Sequence, residues 1–296
     1  VLTKGGFVKK ILLSFLLVFL CSIPLYPVSG GQNRVRYLQD IFTAEECSSE
    51  SNIVYKTIDE PNHETLSLKL DITRPMKDAL KKRPFILWIH GGGFVSGSKE
   101  KMTNRCLDFS QLGYVTGTVN YRLIKNLEPD FTMDDVIETA VDDVRSAIDW
   151  CIENAAKYGI DETCIFVGGS SAGAITACHV AYDDREWKNK KSIQGIVSLW
   201  GGIFPVGETK SQPDSKPGSI SYDVKVDAQE CSACIIHGAK DPIVPVQFAY
   251  TLEKKLTDAG IPCVMKIDPD AGHGVRSDIL KSYHSIEPLF FYICMQ

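Results

Sequence analysis

The chain has 296 residues, 44% hydrophobic and 23% charged, with 37 acidic against 32 basic side chains and a formal net charge of −5. This is enough apolar material for one large α/β domain, or two by length alone, and no segment is of low enough complexity to suggest disorder. The acidic balance gives no electrostatic reason to seek nucleic acid or an anionic bilayer, and disfavours polyanionic substrates.

The first thirty residues read as a leader. Lys4, Lys9 and Lys10 supply a basic start, residues 11–20 are apolar and uncharged, Pro24 and Pro27 follow, and Val28-Ser29-Gly30 offers small residues for a peptidase. That is the layout of a secretory signal peptide. A membrane anchor is the competing reading, because the uncharged stretch reaches the lower limit for a span. The two prolines favour cleavage near Gly30, whereas lipidation at Cys21 fits poorly behind Phe19 and Leu20. Removing 1–30 deletes three lysines and no acids, so the net charge moves from −5 to −8. The mature chain is expected to be secreted or periplasmic, with no membrane or nucleic-acid partner.

Ten cysteines are present, and nine remain without Cys21. An odd number forbids complete pairing. Cys231 and Cys234 form a CxxC, but a three-residue offset in a strand points the two side chains to opposite faces. Most of the cysteines are expected to act as small buried hydrophobes. With no paired CxxC and no HExxH, no metal is expected.

Residues 31–51 are polar and read as an N-terminal arm to a catalytic domain spanning 52–296. Two alternating strands come first, over 53–58 and 66–72, and look antiparallel to each other. Residues 84–89 are a continuous apolar run of the kind buried on both faces of a parallel sheet. A helix over 104–112, a strand over 114–120 and a long amphipathic helix over 133–158 follow. A strand at 164–167 leads into a helix at 172–182, and further strands are expected at 195–199, 234–237 and 262–267. Helices at 246–259 and 277–291 complete the pattern. The alternation predicts an α/β fold: a mostly parallel sheet of about eight strands with helices on both faces and right-handed crossovers. Residues 201–230, rich in Gly, Pro, Ser, Lys and Asp, are too long for a plain connection and are expected to form a small lid or binding loop.

The most telling stretch is Gly169-Ser170-Ser171-Ala172-Gly173. A GxSxG turn between strand and helix is the layout of a nucleophile elbow, which presents the central serine above the carboxyl edge of a sheet and at a helix N-terminus. Ser171 rather than Ser170 holds the central place. Acyl transfer also needs a base, an orienter for it, and donors for the oxygen that becomes negative. His90-Gly91-Gly92-Gly93-Phe94 follows the 84–89 strand and supplies the donors: the N–H groups of Gly92 and Gly93, with Gly91 as alternative, would join that of Ala172. His90 is expected to brace the loop. Asp241 follows the 234–237 strand and is the candidate acid, with Asp268 and Asp270 as rivals. His273, between Gly272 and Gly274, is the candidate base, while His63, His179, His237 and His284 suit packing or surface positions better. The order Ser171, Asp241, His273, each just past a strand, is the decisive check.

On these motifs, together with Asn120-Tyr121-Arg122-Leu123 and Asp241-Pro242, residues 52–294 resemble the α/β-hydrolase superfamily. Within it they resemble the HGGG-type esterases and lipases: hormone-sensitive-lipase-like, or bacterial feruloyl- or acetyl-esterase-like carboxylesterases. The resemblance implies an acyl-enzyme mechanism without a cofactor. Two departures stand out: no large helical cap is apparent, and Asn120 stands where many relatives carry aspartate. Phe94, Tyr121 and Trp200 lie past strand ends and are candidates to line a substrate pocket. By analogy alone, the expected partner is a small-molecule or polysaccharide-linked ester, short-chain acyl, acetyl or feruloyl. A serine peptidase or amidase, and a non-catalytic module on the same scaffold, are the rival readings.

Overall fold

A computed structural model describes residues 25–27, 33–59, 65–127, 131–204, 224–274 and 286–296. Strands β1 (Leu25–Pro27) and β2 (Asn33–Val35) pair antiparallel as a separate ribbon. Strands β3 (Cys47–Ile58), β4 (Leu66–Pro75), β5 (Arg83–Ile89), β6 (Val115–Val119), β7 (Ile160–Ser170), β8 (Ile193–Leu199), β9 (Ser232–Gly238) and β10 (Cys263–Asp268) form one sheet in the order β10-β9-β8-β7-β5-β6-β4-β3. Only β4 runs against its neighbours, pairing antiparallel with both β3 and β6. Strands β5 to β10 pair parallel among themselves, so their carboxyl ends share one edge.

Strand β5 shows why this sheet is covered on both sides. All seven of its residues are buried, and with a period of two they divide between two cores. Phe85, Leu87 and Ile89 join the core beneath α2 (Met133–Glu153), α3 (Ala172–Tyr182) and α4 (Gln247–Asp258). Ile86 and Trp88 join the other, beneath α1 (Thr103–Gln111) and α5 (Ile286–Cys294). Helix α2 begins at a capping box, where the Thr132 hydroxyl accepts from the Asp135 N–H and the Asp135 carboxylate accepts from the Thr132 N–H. Helix α3 is buried along its whole length, which explains its small residues and lack of a polar face. Helix α5 is tied across to α1 by Arg105, whose guanidinium lies 2.5 Å from both carboxylate oxygens of buried Glu287.

Several expected boundaries move. β3 starts at Cys47, so the arm is shorter than 31–51. Its first residues are exposed and carry no alternation; they are held by main-chain pairing and by the Ser49–Thr73 hydroxyl contact of 2.7 Å. What remains of the arm caps α1, since the N–H groups of Tyr37, Ile41 and Phe42 donate to the carbonyls of Leu112 and Gln111. β7 starts at Ile160, ahead of a register shift against β5. The long helix ends at Glu153, with a separate turn at Ala155–Tyr158. The expected leader, apart from the strand at Leu25–Pro27, lies outside the described residues. So do 205–223 of the expected lid and 277–285 of the last expected helix. No helix among the described residues is long and apolar enough to cross a membrane.

Nine cysteines are described, all as free thiols. Burial pushes Cys106, Cys178 and Cys231 up to about 12, which leaves them poor nucleophiles.

Candidate active site

Ser171 sits between β7 and α3 at φ 54°, ψ −123°, a backbone region that non-glycine residues rarely occupy. The flanking glycines make this possible. A Cβ on Gly169 would stand 2.3 Å from the Gly173 carbonyl, and one on Gly173 would stand 2.3 Å from the Ile89 oxygen. The turn is fixed at both ends: the Ser171 N–H donates to Leu199 at 2.9 Å, and its carbonyl accepts from Ala174 and Ile175 as α3 begins. A backbone anchored this way points one side chain in one direction.

The Ser171 Oγ lies 2.9 Å from Nε2 of His273, and Nδ1 of that ring lies 2.8 Å from Oδ2 of Asp241. The Asp241 carboxylate can only accept, so Nδ1 carries the ring proton and Nε2 is free to accept from the serine hydroxyl. Oδ1 of Asp241 accepts from the N–H groups of Ile243 and Val244 at 2.8 and 2.9 Å. Burial works against its charge, yet the bonds from His273, Ile243 and Val244 outweigh burial and hold the carboxyl below its ordinary range.

The acid and base loops are zipped into one unit. Ala239 and Lys240 donate their N–H groups to Asp268 and Ala271 at 2.8 and 2.9 Å. The loops meet where Gly238 has no side chain, since a Cβ there would lie 2.3 Å from the Gly272 oxygen. The rival acids serve this loop instead. Asp268 accepts from the N–H groups of Asp270 and Ala271, and exposed Asp270 pairs with Lys240 at 2.8 Å.

The glycine loop lies beside the elbow. The Gly92 carbonyl accepts from Val95 and Ser96, curling the chain into a tight turn with Gly92 at φ 136°. Among the described residues, none accepts a hydrogen bond from the N–H of Gly92, Gly93 or Ala172. His90 braces the loop as expected. Its Nδ1 contacts the Gly91 carbonyl at 2.9 Å, its ring stacks on Tyr121 at 4.5 Å, and the Tyr121 hydroxyl donates to its carbonyl at 3.0 Å. Burial pulls the His90 pKa down, only partly offset by Gly91, so the ring stays a neutral brace.

Two of the expected pocket residues are elsewhere. Phe94 and Tyr121 are buried and pack edge-on at 6.2 Å, behind the loop and within the core. Both are large rings that join the same core as the buried face of α2. Trp200, at φ 42°, is half-buried against the second core, its N–H bonded to Ile236 at 2.7 Å. Apolar side chains exposed in the loops after β5 and β9 include Val95 (60%) and Ile243 (68%). Asn120 ties the end of β6 to the approach to α1, its Oδ1 accepting the Lys99 N–H at 2.7 Å. Two clefts, of about 600 Å³ beside Lys190 and Glu230 and about 220 Å³ beside Lys99 and Asp71, include neither Ser171 nor His273.

The family model described as BD-FAE matches residues 70–201, which takes in the glycine loop and the elbow but stops before Asp241 and His273. An AB hydrolase superfamily protein of Schizosaccharomyces pombe is 35% identical over 232 residues, covering 66% of this chain and 64% of that protein. Lipase 1 of Geotrichum candidum is 28% identical over 209 residues, covering 63% of this chain but 36% of the lipase. The chain therefore spans about a third of the length of that lipase. Among solved structures, the apo form of Thermogutta terrifontis esterase 2 superposes with a TM-score of 0.64 at 25% identity, covering 81% of this chain and 91% of the esterase.

Proposed function

We propose that the chain, which has the α/β-hydrolase fold, is a secreted serine carboxylesterase. The observation that carries the reading is the hydrogen-bonded line from Ser171 through His273 to Asp241, at 2.9 and 2.8 Å. Ser171 Oγ attacks the ester carbonyl carbon as Nε2 of His273 takes its proton. The carbonyl oxygen becomes an oxyanion, received by the N–H groups of Gly92, Gly93 and Ala172, with Gly91 in reserve; each such donor lowers the barrier by about 3–4 kcal/mol. Collapse expels the alkoxide, which leaves with the His273 proton. A water then enters, loses a proton to Nε2, and releases the acid from Ser171.

Short-chain acyl esters, or acetyl and feruloyl groups on polysaccharide, suit this site. Exposed Val95 and Ile243, in the loops that carry the proposed oxyanion donors and acid, offer apolar surface to such an ester, and esterase 2 of Thermogutta terrifontis has been solved with propionate bound. Secretion rests on the leader and on relatives that include a secreted lipase of Botryotinia fuckeliana.

A panel of acetyl, butyryl, octanoyl and feruloyl esters, acetylated xylan and a chromogenic amide tests the reading. Turnover of a short ester well above the amide is expected, with Ser171→Ala lowering kcat by about 10⁶. Amide turnover exceeding ester turnover, or a loss under tenfold in the variant, would reject it.

A further inference from the structure

His237 is the penultimate residue of β9, four residues before Asp241, and is fully buried. Its Nε2 lies 2.9 Å from the Val244 carbonyl oxygen and 3.2 Å from Oδ2 of Asp241. A carbonyl can only accept, so Nε2 carries the ring proton. Nδ1 is buried and has no hydrogen-bond partner among the described residues. A half-satisfied imidazole in an apolar strand carries a desolvation cost that a leucine or phenylalanine would avoid. What the ring contributes in return lies entirely on its Nε2 side. Val244 is the residue whose N–H holds Oδ1 of Asp241, and Oδ2 is the oxygen that faces Nδ1 of His273.

We propose that His237 is a positioning residue for the catalytic acid. Its Nε2–H clamps the 241–244 turn through the Val244 carbonyl and lays the positive end of the N–H dipole against Oδ2. The carboxylate is thereby held on both oxygens: Oδ1 by two backbone N–H groups, Oδ2 between two imidazoles. A carboxylate fixed in that plane presents Oδ2 to His273 in one orientation, which in turn fixes Nε2 of His273 toward Ser171. Removing the clamp leaves every reacting group present but lets the acid rotate, and small misplacements of this kind cost up to about a hundredfold in rate.

The inference rests on the ester-hydrolysis reading, and two variants separate the two. His237→Gln places an amide N–H where Nε2 stands; His237→Phe keeps a ring of similar bulk with no donor. In His237→Phe, kcat on p-nitrophenyl acetate is expected to fall by roughly 10- to 100-fold with KM within about threefold, and fluorophosphonate labelling of Ser171 to slow by a similar factor. His237→Gln is expected to stay within about threefold of the unaltered protein in both assays. The proposal is overturned if His237→Phe matches the unaltered protein, if only KM moves, or if His237→Gln loses as much as His237→Phe. If the unaltered protein ignores esters, the ester reading fails, while labelling rates still decide the role of His237. If His237→Phe does not fold, ¹⁵N spectra of the unaltered protein decide: a proton on Nε2 of His237 supports the clamp, and a proton on Nδ1 alone removes it.

Discussion

Ser171 holds a conformation that costs about 1–3 kcal/mol, and the glycines at 169 and 173 are what make it accessible. That pattern is legible in sequence because its steric demand is local. Asp241 is also legible, from its place after a strand, with Asp268 and Asp270 too near His273 to come from a separate strand end. Asp241→Asn is expected to lower kcat about 10⁴-fold with the fold intact, because the base loses its productive tautomer. Asp270→Asn should leave kcat within about twofold, since its side chain is exposed and pairs with exposed Lys240. Comparing kcat across the two variants checks both. The lowered Asp241 carboxyl also sets a sign: its contribution to stability is complete above its ordinary value and is lost as pH falls through the lowered one. Acid loss of activity from this group is therefore expected only below about pH 4, read from activity and circular dichroism between pH 2 and 6. His237 escaped sequence reasoning because a histidine ending a strand looks like packing until its distance to the acid is known.

Helix α2 shows how an element remote from the nucleophile holds the site. Asp143 is fully buried midway along it and takes Arg122 through Nε and Nη2 at 2.9 Å each, the Arg122 N–H at 3.0 Å and Lys56 at 2.8 Å. This bolts the loop after β6 to the helix, and that loop carries Tyr121, which supports His90 under the glycine turn. Asp143→Asn removes the buried charge that both Arg122 and Lys56 face, so a loss of about 3 kcal/mol is expected in urea unfolding at unchanged m. The helices and inner strands could be read from sequence because burial imposes a period on them. The opening of β3 could not, since an exposed edge strand is held by main-chain bonds that leave no trace in side-chain pattern.

Across the whole molecule, the order Ser…Asp…His along the chain becomes adjacency because parallel strands deliver successive loops to one edge. The members of that edge follow from strand order; packing decides which rings line it, sending Phe94 and Tyr121 inside and leaving Val95 and Ile243 outside. The division of labour across the sheet is uneven. The proposed nucleophile and oxyanion donors follow the central strands β5 and β7, whereas the proposed base follows β10, the partly exposed outermost strand, with β9 as its single neighbour among the described residues. Border strands open at lower free energy than those flanked on both sides. Warming should therefore detach the proton carrier while the bulk of the molecule is still intact. Catalysis is expected to fail at a temperature several degrees under the main calorimetric transition, and to return on cooling; simultaneous loss of the two would mean that rim and centre melt as one.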